Sequence, residues 1–326
     1  MDRLDVLINR IRRYTHTHKY SDSATLTSQR GVQTQTFVDL ANEAQHVLRG
    51  MIHRAGGDLY TTETLIDLVA NQEDYTLPAD AFLGVNVVSV EYLYGSSGKY
   101  RKLEQTSVHR RDTAFSGTPQ RYVHRNNQIL INPKPSSAKT DGLRVTYEYK
   151  LPELDIRRGA ISAVDDGDNP TSITIATSTA ADIAFSGDLQ AEYLSVVDKN
   201  GNQIMTRIPM TSYDTGTGVL TLDSFTPLST SSTITTSHYV VAGFDASSHS
   251  EYPDFCEAFI TEYIKHGVLS LLKDPELVAS ERKLAGLAQH VEEAFSLYNA
   301  DLQQIELYDQ DRNLDSGISG DFFYEL

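Results

Sequence analysis

Few stretches of this chain place reactive side chains at a spacing that chemistry can use. His249-Ser250-Glu251 holds the residue types of a nucleophilic triad, but neighbours in an extended segment or first helical turn point apart and cannot converge on one atom. Ser248 and Glu251 instead have capping-box spacing and are expected to open a helix. His16 and His18 could share a strand face as metal ligands, yet no carboxylate or third histidine sits at ligand spacing, so they read as solvated loop residues. Asp198, Asn200 and Asn202 imitate the start of a calcium loop, but Gln203 stands where that loop needs glycine and Pro209 where it needs a closing acid. Asn200-Gly201 is therefore expected to be a hairpin turn. Asp165-Asp166-Gly167-Asp168 could hold a divalent ion weakly, or lend Asp165 and Asp168 to a hydrolase; a surface turn is the plainer expectation. Gly95-Ser96-Ser97-Gly98-Lys99 lacks the spacing and strand-to-helix setting of a phosphate loop and reads as a hairpin connection. Cys256, after Phe255 on an apolar stretch and without a paired histidine, reads as an inert core thiol. Arg110-Arg111 and Arg157-Arg158 could meet nucleic acid, but both occupy short polar connectors beside acids and read as a solvated face or a subunit salt bridge. No catalytic residue, metal site or cofactor is expected, and the chain is not read as an enzyme.

The elements that carry these residues form four regions. Residues 1–157 are expected to contribute N-terminal helices and a small antiparallel sheet to a core. Leu4, Leu7, Ile8 and Ile11 share one helical face, and a polar, Ser/Thr-rich stretch to about residue 33 reads as loop. Thr34 or Thr36 can cap a second helix with apolar positions Phe37, Leu40, Ala44, Val47 or Leu48, and Met51. From Thr61 the period changes to two, with strands expected at 64–69, 85–94, 121–123, 128–132 and 143–149. Residues 158–245 are read as an inserted all-β domain, a sandwich or barrel; 25 Ser and Thr fall in residues 159–246, and strands are expected at 172–176, 192–197, 203–209, 218–222 and 233–240. Residues 246–309 return to helix and complete the core. Asp274 as cap and Pro275 in the first turn start a long helix whose Leu284, Ala288, Val291, Phe295, Tyr298, Leu302 and Ile305 form a heptad stripe, expected to pack beside residues 34–54. Residues 310–326 form an acidic extended tail ending in Phe322, Phe323 and Tyr324. The fold class is thus α+β: a helical bundle with a small antiparallel β part and an inserted all-β domain.

Composition bounds the function. At 326 residues the chain has ample length for a core, and its ordinary glycine and proline content excludes a fibrous or wholly disordered protein. A lone cysteine excludes a disulfide framework, and no run approaches the ~18 apolar residues of a membrane helix, so the expectation is a soluble protein assembled in a reducing cytoplasm. The net charge of −16 is unevenly placed: residues 1–158 carry 21 Lys and Arg against 18 Asp and Glu, residues 159–326 only 7 against 26. An acidic half argues against wrapping DNA or docking on anionic lipid, but does not exclude a surface past which DNA must slide.

The order Glu73-Asp74-Tyr75-Thr76-Leu77-Pro78-Ala79-Asp80, a Val-rich strand at 85–90, Gly117-Thr118-Pro119-Gln120-Arg121-Tyr122, Ile129-Leu130-Ile131-Asn132-Pro133-Lys134-Pro135 and Val145-Thr146-Tyr147-Glu148-Tyr149 resembles the head-to-tail adaptor (connector) proteins of tailed, especially short-tailed, bacteriophages. The resemblance covers residues 34–155 and, after an interruption, 240–310, where Tyr252-Pro253-Asp254 opens the helices. It implies a virion structural protein at the head-to-tail interface, with about twelve copies in a ring between portal and tail that extends the DNA channel. The implied partners are other copies of itself, the portal protein and tail nozzle or fibre proteins, with DNA passing without sequence-specific binding. Phe322, Phe323 and Tyr324 would be the portal-docking anchors. The 158–245 insert departs from the family pattern; an outward module that contacts tail components is one reading, and a tail-fibre or receptor- and glycan-binding module is the alternative.

Overall fold

The computed structural model describes residues 3–15, 32, 34–54, 60–78, 80–82, 87–95, 98–107, 116–176, 192–214, 216–224 and 233–315, with side chains as far as residue 297. His16, His18, Arg110, Arg111 and the tail anchors Phe322, Phe323 and Tyr324 lie outside the described residues. The chain divides into two compact units, residues 58–151 and residues 1–57 with 152–326.

In the larger unit, α1 (Leu4–Tyr14) buries Leu4, Leu7, Ile8 and Ile11 on one face. Asp5 sits in its first turn and Arg12 and Arg13 in its last, each on the favourable end of the helix dipole. Thr34 is the first residue of α2 (Thr34–Arg54) and its hydroxyl accepts from Arg12, while Thr36 lies inside the helix. The apolar face comprises Phe37, Val38, Ala41, Ala44, Leu48, Met51 and Ile52; Leu48 takes the buried place and Val47 is half-buried, as is Leu40.

Residues 58–151 are antiparallel β-structure with short parallel pairings: β1 (Thr61–Leu68), β2 (Asp74–Thr76), β3 (Val87–Tyr94), β4 (Lys99–Lys102), β5 (Glu104–Gln105), β6 (Ser116–Gly117), β7 (Arg121–Arg125), β8 (Gln128–Asn132), β9 (Lys134–Pro135) and β10 (Lys139–Glu148). One sheet has the order β1-β10-β3-β4, another β2-β8-β7-β5, and β6 pairs with β9. The two-residue period assigns the faces: Leu143, Val145 and Tyr147 point into a core with Val90, Tyr75, Tyr122, Ile129 and Ile131, while Arg144 and Thr146 point away. Burial and the neighbouring Asp80 carboxylate raise the pKa of the Tyr147 hydroxyl. The β3–β4 connection is the expected hairpin, with Tyr94 opposite Lys99 and both Gly95 and Gly98 at positive φ, a region a side chain disfavours.

The remainder of the larger unit runs β11 (Glu153–Leu154), β12 (Gly159–Val164), β13 (Ser172–Ile175), β14 (Tyr193–Val197), β15 (Gln203–Asp214), β16 (Val219–Leu222), β17 (Tyr239–Ala242), β18 (Ala246–Ser247), α3 (Glu257–Leu272) and α4 (Leu277–Asp315). Six strands close as β12-β13-β16-β15-β14-β17, so the insert is a barrel, and closure leaves it no unpaired edge. Ile161, Ile173, Ile175, Leu194, Val196, Met205, Ile208, Leu220, Leu222 and Val240 fill it. β12 was not expected: its Gly-Ala-Ile-Ser-Ala-Val run has one bulky inward residue, Ile161, and Gly159 fits because a Cβ there would stand 2.9 Å from the Ile175 Cβ. The strand expected at 233–240 is corrected. The Thr235 N–H bonds His238 Nδ1 in a turn, and pairing begins only at Tyr239.

The capping box expected at Ser248 and Glu251 is overturned. The helical turn starts six residues later, at Asp254–Cys256, and leads into α3; the Ser248 carbonyl instead accepts the Leu4 N–H at the start of α1, 3.1 Å away. α3 stops at Lys273, whose left-handed backbone (φ 52°) turns the chain, and the Asp274 carboxylate then accepts the Glu276 N–H before α4. α3 passes close to α2: a Cβ on Gly267 would come within 2.6 Å of Leu40 Cδ2. On α4, Val291 and Phe295 are buried, and Leu284 and Ala288 half-buried; the side chains of Tyr298, Leu302 and Ile305 lie outside the described residues. Phe295 stacks on Phe255, ring centres 5.1 Å apart. α4 does meet residues 34–54, where Arg54 bonds Glu292 at 2.8 Å, but α3 also covers it: Glu262 receives Ser280 Oγ at 2.7 Å and Lys283 Nζ at 2.6 Å.

Candidate functional site

The groups singled out for chemistry are mostly occupied with holding turns. The Asp165 carboxylate accepts the N–H groups of Asp166, Thr171 and Ser172 and the Thr171 hydroxyl, Asp166 accepts the Asp168 N–H, and Asp168 accepts the Thr233 hydroxyl. Desolvation is the largest single influence and would raise the Asp165 pKa, but these donors together outweigh it and hold the carboxyl below its ordinary value. Asp198 is held down in the same way by Asn200 N–H, Asn202 N–H and Asn202 Nδ2, which makes it the anchor of the 198–202 turn. Among the described residues no group of three or more His, Cys, Asp or Glu could hold a metal ion. Cys256 is fully buried, and burial pushes its thiol up to about 12. His249 lies against the 198–202 turn, and burial followed by the cationic neighbours Arg157 and Arg3 lowers its pKa.

The Arg157-Arg158 pair is corrected. Arg158 is not a solvated cation: Nε and Nη2 reach both oxygens of Asp155 at 2.9 and 2.7 Å, and both side chains are 4% exposed. Arg158 also donates to Gln35 on α2, and Asp155 accepts the Ala242 N–H from β17, so this pair ties helix to barrel where the insert begins and ends. The i, i+3 spacing of Asp155 and Arg158 was its only sequence signal. Arg157 lies over the Tyr239 ring at 4.2 Å and donates to the carbonyls of Asp198 and Lys199. Next to this junction Asn42 brackets the backbone of one residue, donating to the Leu154 carbonyl at 2.9 Å and accepting the Leu154 N–H at 2.7 Å.

Among the described residues exposed apolar and charged groups stand together at several places, such as Phe244 under the Arg207 guanidinium on the insert, and two of these surfaces lie outside the insert. At the β3–β4 hairpin, Tyr94 is 44% exposed with the Arg101 guanidinium 3.7 Å above its ring, Lys139 lies over Tyr92, and Arg144 lies over Tyr100 while pairing with Glu91. The interleaved Tyr92, Tyr94, Lys99, Tyr100, Arg101 and Lys102 were the available sequence signal, and sequence reasoning passed over them as a turn. In the larger unit, Arg54, Glu292, Glu293, Ser296 and Leu297 line an open groove of about 640 Å³ where the end of α2 meets α4, with Leu297 69% exposed.

The acids singled out at 165–168 and 198 are thus spent on turns, and aromatic and charged groups collect at the hairpin and the groove. Residues 2–170, just over half of the chain, match the family described as SU10 adaptor protein, and the chain belongs to that family. It is a phage head-to-tail adaptor, a virion structural protein that associates with other virion components, and the family is not a known class of enzyme. The matched span includes α1, which the resemblance read from sequence left out, and ends just beyond β12; the resemblance read at 240–310 lies past it. No curated protein matches this chain. Among the described residues no helix is long and apolar enough to cross a membrane.

Proposed function

We propose that this adaptor forms a ring of about twelve copies between portal and tail of a short-tailed phage, extends the DNA channel and offers a platform for tail components. The observation that carries this reading is the family match, which begins at α1 and takes in the whole of residues 58–151. In this reading α1 to α4 act as the helical bundle of the adaptor core, with Phe37, Leu40, Leu284, Val291, Phe295, Tyr298 and Leu302 as its packing residues. The 158–245 barrel is an outward module for tail nozzle or fibre proteins. The tail, expected from residue 310 although α4 continues to Asp315, reaches the portal through Phe322, Phe323 and Tyr324. The uneven charge supports a channel role: 7 bases against 26 acids beyond residue 158 would let phosphate slide past rather than be retained by counterion release.

Electron microscopy of the protein mixed with its portal tests the reading directly. A ring coaxial with the portal is the expected image, and a chain that stays monomeric beside intact portals sinks it. Truncation after Gln310 is expected to leave the fold intact and abolish attachment; a truncated chain that still attaches removes the tail-docking claim.

A further inference from the structure

We propose that the β3–β4 hairpin of one copy seats in the α2–α4 groove of a second copy. This rests on the ring reading and names the surfaces that would join its subunits. The two surfaces match in kind. The hairpin presents Tyr94, exposed and stacked under Arg101, together with the exposed cations Lys99 and Lys102. The groove presents Leu297, the most exposed of the large apolar side chains described, beside Glu293 and the Arg54–Glu292 ion pair. An aromatic ring carrying a guanidinium fits a concave site that offers one apolar side chain and the Glu293 carboxylate, because the ring and Leu297 shed water together while Lys99 and Arg101 meet Glu293 at the edge of the Arg54–Glu292 pair.

The choice of occupant follows from charge. Residues 276–326 carry 11 acids against 3 bases, so the groove stands in the most acidic helical part of the chain. The acids of the barrel turns at Asp165 and Asp198 are already saturated by their own backbone N–H groups, whereas Glu293 accepts only the exposed Gln289 amide among the bonds described. A hairpin that meets a groove elsewhere on the same chain gives a head-to-tail contact, and such a contact closes into a ring when its rotation allows. DNA is the competing occupant for a cluster of lysine, arginine and tyrosine.

The test compares full-length wild type, Lys99→Glu/Arg101→Glu and Glu293→Arg by analytical ultracentrifugation across concentration and salt, with a fluorescent DNA duplex read by anisotropy in parallel. Each variant alone is expected to self-associate about ten-fold more weakly, and the two mixed together to recover association by the swapped charges. All altered side chains are exposed, and thermal unfolding at the wild-type temperature confirms that each variant is folded. Wild-type and both variants associating equally overturns this interface and leaves the ring standing. A wild type that stays monomeric throughout overturns this interface, while the ring reading is decided separately by the mixture with portal. Unchanged association with DNA binding lost in Lys99→Glu/Arg101→Glu overturns the proposal in favour of DNA.

Discussion

Arg158 and Asp155 have surrendered nearly all contact with water, so each depends on the other and on Gln35 and Ala242 for its polar partners. Asp155→Ala is expected to destabilise by about 3–5 kcal/mol in chemical denaturation, because it strands a buried guanidinium; replacing both residues with apolar side chains should recover most of that loss. Gly201 is constrained twice, by φ of 90° and by the His249 ring, which a Cβ would meet at 1.9 Å. Gly201→Ala should therefore cost about 1–3 kcal/mol, and adding His249→Ala should relieve only the steric part, leaving the backbone strain. Glu262 sets a pH dependence. Burial would push its carboxyl up, but Lys283 and Ser280 donate to it and hold its pKa below the ordinary 4.5. A depressed acid contributes stability that is present above the unfolded pKa and disappears as pH falls through the folded one. Stability of the wild type is expected to fall on acidification below about pH 4.5, and Glu262→Gln to flatten that fall. An unchanged slope in denaturation series across pH would remove Glu262 as a cause.

At the scale of elements, α4 gives the sharpest contrast between neighbouring positions. Phe295 is buried against Phe255, and Phe295→Ala should lower stability by about 3–5 kcal/mol, whereas Leu297→Ala, two residues on, should change it by less than about 0.5 kcal/mol. The heptad spacing announced Val291 and Phe295 correctly because a core seam repeats every three and four residues. It could not say that α3 shares the cover, since the pairing of Glu262 with Ser280 and Lys283 depends on a turn at Lys273 that reverses the chain. Strands with a continuous run of buried residues, such as β8 and β14, were legible at nearly their true length, while β12, built mostly of small residues, was invisible until its partners β13 and β17 supplied the register. Ser248 and Glu251 misled because a capping box describes local spacing only. Here the Ser248 carbonyl is used by α1, far away in sequence. The hairpin and groove surfaces were harder still, because exposure of Tyr94 and Leu297 is a property of the folded surface and leaves no periodic trace.

Over the whole molecule, the barrel is joined to its unit through adjacent strands: Gly159 on β12 pairs with Val240 on β17. Removing residues 160–239 and bridging the gap with a few glycines is expected to leave the helices folded, with helical circular dichroism per molecule kept and one cooperative unfolding step retained. Loss of helix on deletion would show that the barrel is part of the core and not a separable module. The same arrangement bears on force. A pull transmitted along the chain from the helices enters the insert at this mouth, where β12 lies beside β17 and Asp155 holds the Ala242 N–H across the gap. Load then opens the mouth rung by rung and does not shear the six strands together. While the clasp holds, the barrel rides outside the tension-bearing path and can yield against whatever it touches without slackening the helices behind it.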